Sequence, residues 1–134
     1  MKASLRQTRN KSQHNIVVQA VSSFVDSESE PSAERYMFSY TITIHNQGKR
    51  AARLVTRHWL VSDAHGKIEE VNGEGVVGQQ PLLQPGEIFR YTSGTMIATP
   101  VGVMQGSYGM ISEDGETFAA VIPAFTLAVP RTLH

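Results

Sequence analysis

The sequence predicts an all-β fold built as a two-sheet antiparallel sandwich. Three observations carry that prediction. Apolar residues recur mostly at every second position, no window of a dozen residues holds a 3.6-residue period, and turn-forming clusters rather than crossover helices separate the apolar runs. Short strands at this spacing suit a sandwich of the immunoglobulin or fibronectin type III kind.

The clearest element is Tyr36-Met37-Phe38-Ser39-Tyr40-Thr41-Ile42-Thr43-Ile44. Its even positions are Tyr, Phe, Tyr, Ile and Ile, and its odd positions are largely Ser and Thr, so one face is buried and the other is wetter. Six further strands are expected at about residues 15–25, 53–62, 67–71, 87–93, 103–112 and 117–129. Helix is expected in less than about one-tenth of the chain. Between the strands lie Asn46-Gln47-Gly48, Asp63-Ala64-His65-Gly66, Pro85-Gly86 and Glu113-Asp114-Gly115-Glu116, each with residues that tolerate positive φ or preset a turn. Asp114-Gly115 is the strongest hairpin signal. Pro123 removes a ladder donor from the last strand, which predicts an edge or a bulge there.

A chain of 134 residues is the usual size of one domain. Lys2, Arg6, Arg9 and Lys11 precede the first acidic residue, so residues 1–13 are expected to form a disordered basic tail ahead of a single domain over residues 14–134. Asp26, Glu28, Glu30 and Glu34 form a solvated acidic stretch. With no cysteine, disulfides, thiolate metal sites and cysteine nucleophiles are excluded. With no signal-peptide pattern either, a cytoplasmic location is the simplest expectation. No apolar run approaches the roughly 20 residues of a membrane span. Twelve Lys and Arg balance twelve Asp and Glu, which removes the long-range attraction of a nucleic-acid or membrane-surface binder.

Gly73-Glu74-Gly75-Val76-Val77-Gly78 satisfies G-x-G-x-x-G, but a phosphate cradle needs a helix to start from the loop. Val76-Val77 is β-branched, Gln79-Gln80 runs into Pro81, Glu74 is negative, and no Lys or Arg lies between Lys67 and Arg90. A structural loop is expected. His45, His58 and His65 are not spaced as metal ligands. Glu69 and Glu70 point to opposite faces of a strand and cannot share a proton, and Glu113-Asp114 belongs to a wet turn. No G-x-S-x-G elbow is present. The expectation is a protein that is not an enzyme, with no catalytic residue, no metal and no cofactor.

One constellation remains. In a regular strand Arg53, Val55, Arg57, Trp59 and Val61 share one face, while Leu54, Thr56, His58 and Leu60 share the other. Trp59 facing inward gains a core but draws Arg57 toward it, and an unpaired buried charge is very costly. The favoured arrangement buries Trp59 while Arg57 snorkels to a sheet edge. The opposite arrangement exposes an aromatic beside two guanidinium groups, the composition of a protein-contact hot spot.

The strings from Arg35 to Ile44, Asn72-Gly73-Glu74-Gly75-Val76-Val77-Gly78, Gln84-Pro85-Gly86-Glu87, Tyr91-Thr92-Ser93-Gly94, Met104-Gln105-Gly106-Ser107-Tyr108 and Pro123-Ala124-Phe125 together resemble the bacterial ApaG family. The resemblance runs from about Ile16 to His134. It implies a fibronectin type III-like sandwich with no established enzymatic activity. In eukaryotes similar domains are appended to F-box proteins and to a DNA polymerase delta-interacting protein, which implies protein recognition, whereas bacterial members are linked to cobalt and magnesium handling. The expected function is therefore a binding module acting through sandwich loops and one sheet face, with a small-ligand or divalent-cation-binding protein in metal or nucleotide homeostasis as the alternative. Candidate ligand-binding residues are Arg53, Arg57, His58, Trp59, Gly73, Glu74, Gly75 and Gly78. The partner is expected to be an unnamed protein rather than nucleic acid or membrane, and a homodimer is left open.

Overall fold

The computed structural model describes residues 14–131; the expected basic tail at residues 1–13 lies outside them. Eight strands form in order: β1 (Ile16–Phe24), β2 (Tyr36–Asn46), β3 (Ala52–Asp63), β4 (Ile68–Glu74), β5 (Leu82–Leu83), β6 (Ile88–Ile97), β7 (Val101–Ser112) and β8 (Thr117–Ala128). One sheet has the order β1-β2-β6 and the other β4-β3-β7-β8, with β5 also paired to β3. All pairings are antiparallel. The predicted sandwich class is what forms. The helical pieces among the described residues are two short 3-10 turns, Asp26–Glu28 and Pro31–Ala33, which carry the exposed acidic stretch between β1 and β2.

Strand β2 forms as its pattern dictates: Phe38, Tyr40, Ile42 and Ile44 are buried in the core, and the residues between them are half-buried. Opposite them stand Leu54, Trp59, Val61, Met104, Tyr108, Ile122 and Leu127 of the second sheet. The turns obey local chemistry. Glu87 N–H closes onto Gln84 O around Pro85 and Gly86, the latter at φ 89°. Asp63 Oδ1 accepts from the N–H groups of His65 and Lys67, with Gly66 at φ 85°.

Two bulges set which side chains reach the core. Leu54 pairs with Met110 but Thr56 pairs with Gly109, so Val55 is an extra residue in β3. The inward set is Ala52 and Leu54 before the bulge and Trp59 and Val61 after it, with Arg57 on the same side. This corrects the regular-strand expectation: Arg53 shares its face with neither Arg57 nor Trp59. In β8, Ile122 pairs with Gly106 and Phe125 with Met104, leaving Pro123 and Ala124 opposite Gln105 alone. Pro123 thus sits in a bulge of an edge strand, where its missing N–H breaks no ladder.

The strand count exceeds the expected seven because of β5, whose two residues carry no periodic signal. Strand β6 also runs on to Ile97, past the expected end at Ser93.

Candidate functional site

The two long sides of the sandwich differ. On one, β1 lies against β8, and Ser22 Oγ donates to Thr126 O at 2.7 Å. On the other, β6 and β4 are the terminal strands of their sheets and no ladder joins them. A groove runs along this open side. Its middle is walled by Tyr40 and Ser93 from one sheet and by Arg57 and Trp59 from the other, forming two adjoining cavities of about 210 and about 220 Å³. A smaller cavity of about 70 Å³ extends it toward Val61, Met96 and Ile97. A larger depression of about 440 Å³ lies elsewhere, by the Val55 bulge, but Thr56, Gly109, Ile111 and Phe118 give it no charge.

Trp59 is buried at 3% exposure and meets Tyr40, Phe125 and Tyr108 in tilted or edge-on contacts at 5.3, 6.0 and 6.4 Å. Each such pair contributes about 0.5–1.5 kcal/mol beyond area burial. Arg57, two residues earlier, follows the Trp to the inner face and lies between Gly73 of β4 and Tyr108 of β7. A Cβ at Gly73 would meet Arg57 Cζ at 2.6 Å, so the absent side chain makes the space for the guanidinium. Arg57 Nη1 donates to Glu74 O and Gly75 O, both at 2.9 Å. It forms no ion pair among the described residues. The expected snorkelling of Arg57 toward an edge is observed, and its anchors are carbonyls rather than a carboxylate across the sheet.

The glycine-rich segment links β4 to β5 along the same side of β3. A Cβ at Gly75 would meet Gln79 O at 2.3 Å. Val76 N donates to Gln79 O and Gln79 N returns a bond to Val76 O, closing a tight turn over Val77 and Gly78 at φ 43° and 78°. Val76 is buried and anchors the turn, whereas Val77 is 53% exposed at the mouth of the second cavity. The three glycines thus have backbone and packing duties, and strand β5, not a helix, follows them.

Below Arg57 the Tyr91 and Tyr108 hydroxyls are hydrogen-bonded at 2.5 Å. Burial pushes the Tyr91 phenol up to about 12 and Tyr108 higher still, with the nearby Arg57 charge acting weakly the other way. Both remain neutral at physiological pH and offer no general base.

The structure therefore brings Arg57, Trp59, Gly73, Gly75 and Gly78 together and leaves Arg53 and His58 apart. Arg53 donates to Gln80 O at 2.7 Å, and His58 Nε2 lies 2.6 Å from Glu70 Oε2. Glu74 contributes its backbone carbonyl. Tyr40, Tyr91 and Ser93 escaped the sequence reading because they lie in β2 and β6, remote from Arg57 in the chain and without a local motif.

The sequence pattern described as the ApaG domain matches residues 26–112, which include every groove residue named above. The chain belongs to the ApaG family. The ApaG protein of Thiobacillus denitrificans is 57% identical over 121 residues, covering 90% of this chain and 95% of that protein. That of Stenotrophomonas maltophilia is 56% identical over 119 residues, covering 89% and 94%. A crystal structure titled as an ApaA protein from Bordetella pertussis superposes with a TM-score of 0.86 at 44% identity, covering 89% of this chain and 97% of that one. The likeness to ApaG relatives thus spans both sheets.

Proposed function

We propose that the chain is a non-enzymatic binding module that recognises a protein partner through the open side of its sandwich. The observation that carries this reading is Arg57: a guanidinium anchored in a groove by two carbonyls, flanked by Trp59 and Tyr40, with no ion-pair partner among the described residues. An Arg amid aromatic side chains in a partly desolvated cleft is the composition of an interface hot spot. The turn at Val77 supports the same reading. A β-branched residue at positive φ is strained, and strain of this kind clusters at binding loops. The divalent-cation reading has less support, since no group of three His, Asp or Glu side chains converges among the described residues.

The test is co-purification with tagged wild-type chain, identification of the partner by mass spectrometry, and titration of that purified partner against Arg57→Ala. Loss of at least about tenfold in affinity, about 1.4 kcal/mol, is expected. A change under about twofold in a variant that unfolds at the wild-type temperature removes the groove from the interface.

A further inference from the structure

Strand β6 pairs with β2 alone. Asn46 N donates to Glu87 O and Asn46 O accepts from Gly86 N, while Gln47 N donates to Asn15 O on the opposite side. Even-numbered residues of β2 therefore address β6, and their register partners Phe89, Tyr91, Ser93 and Thr95 use their own N–H and C=O groups in that ladder. The intervening Ile88, Arg90, Thr92, Gly94 and Met96 direct theirs to the free edge. Nothing there blunts it: β6 contains no Pro, no Lys and a single charge, Arg90, while Ile88 and Met96 are 54% and 39% exposed. Ten residues of unprotected edge are a template for another strand.

Strand β4, across the groove, is different. Gly75 N donates to Val55 O and Asp63 N to Lys67 O, so odd-numbered residues of β4 address β3 and the Glu74 carbonyl faces outward. Arg57 occupies that carbonyl. Strand β4 also carries Glu69, Glu70 and Glu74, which repel an acidic strand. Charge and free hydrogen-bonding groups select β6.

Resting on the groove reading above, we infer that the partner's binding element is an extended acidic peptide that adds as a strand to the free edge of β6. Its alternate side chains, roughly 7 Å apart, enter the two cavities on either side of Arg57, at least one of them a carboxylate that pairs with the guanidinium. Main-chain bonds to Arg90, Thr92 and Gly94 supply affinity; Arg57 supplies selectivity for the acid.

The probe is a random twelve-residue peptide library displayed on phage, selected on the whole chain, with enriched peptides titrated against wild type, Arg57→Ala and Thr92→Pro. Proline at position 92 removes an N–H aimed at the free edge and leaves the ladder to β2 complete. Enriched sequences with Asp or Glu recurring at alternate positions, weakened at least about tenfold by either substitution, are the expected result. Peptides weakened by Arg57→Ala but not by Thr92→Pro overturn strand addition and leave the groove reading standing. Peptides indifferent to both, or no enrichment, overturn strand addition by an acidic peptide, and the groove reading is then decided by the Arg57→Ala titration of the purified partner. Should Thr92→Pro fail to fold, backbone N-methylation of alternate peptide residues reads the same edge on the wild-type chain, and undiminished binding refutes the proposal. A wild-type dimer at tens of micromolar that Thr92→Pro abolishes assigns the edge to a second copy instead.

Discussion

Asn46 shows how much one polar residue can organise. It is fully buried, and its Nδ2 donates to Arg50 O and Leu83 O while its Oδ1 accepts from Gly48 N, all at 2.9 Å. These bonds tie the end of β2 to the following turn and to β5. Asn46→Ala is expected to lose about 2–4 kcal/mol of stability, read as a urea midpoint shift, because buried carbonyls are left without donors. Asn46→Asp should lose more at pH 7, since a charged oxygen then faces two carbonyl oxygens. The Tyr91–Tyr108 pair makes a second prediction. Both phenols hold their protons more tightly in the fold, chiefly through burial, than in the unfolded chain, where Tyr titrates near 10. Above that pH the native state binds more protons than the unfolded one, so unfolding free energy falls as pH rises. The stabilisation is whole below about pH 10 and is lost as pH climbs through 12. The melting temperature should drop steeply across that window, and less steeply in the Tyr91→Phe/Tyr108→Phe variant; matching profiles would contradict this assignment.

At the scale of the element, a single inserted residue decides the chemistry of the groove. A regular strand that kept Val55 would put Arg57, Trp59 and Val61 on the face that carries Arg53, whereas the bulge puts them with Ala52 and Leu54. Removing Val55 leaves that inward set unchanged, because Leu54–Met110 and Thr56–Gly109 then pair in continuous register. Deletion of Val55 is therefore expected to keep the emission of the only tryptophan at that of a buried indole, while lowering the melting temperature through loss of the Val55 carbonyl that accepts from Gly75 N and Gln80 Nε2; emission of a solvated indole would contradict this. Val55→Ala, which keeps the count, should cost only about 1 kcal/mol. The turn at Val77 gives a prediction of opposite sign. An L-residue in the left-handed region is strained by about 1–2 kcal/mol, and Asn relieves part of that. Val77→Asn should raise the melting temperature, and if Val77 guards the groove it should weaken partner binding at the same time. A lowered melting temperature would show that Val77 contributes more by packing than it loses by strain.

On the scale of the whole molecule, the ladders join distant parts of the chain: β2 pairs with β6 and β3 with β7, each about fifty residues on. Such topology folds slowly, so Trp59 fluorescence in stopped-flow refolding should change over milliseconds to seconds, and a phase complete within 100 μs is not expected. Seven of the eight strands, the turns at Asp63, Pro85 and Asp114, the irregularity at Pro123 and the inward Trp59 were legible in the sequence. The strands depend on a period of two, the turns on the φ preference of a residue in place, Pro123 on its missing N–H, and Trp59 on the apolar area its side chain buries. Neither the Val55 bulge nor the open side of the sandwich was legible. A bulge exists only relative to the strand it fails to match, here Met110 and Gly109. An edge is open only because other strands close elsewhere, here β1 against β8. The sequence by itself therefore determined the sandwich and the side-chain stock of the groove. The tertiary structure alone decided that Arg57 and Trp59 face Tyr40, Tyr91 and Ser93, while Arg53 and His58 do not, because side-chain direction after a bulge is fixed by pairing across the sheet rather than by neighbours along the chain.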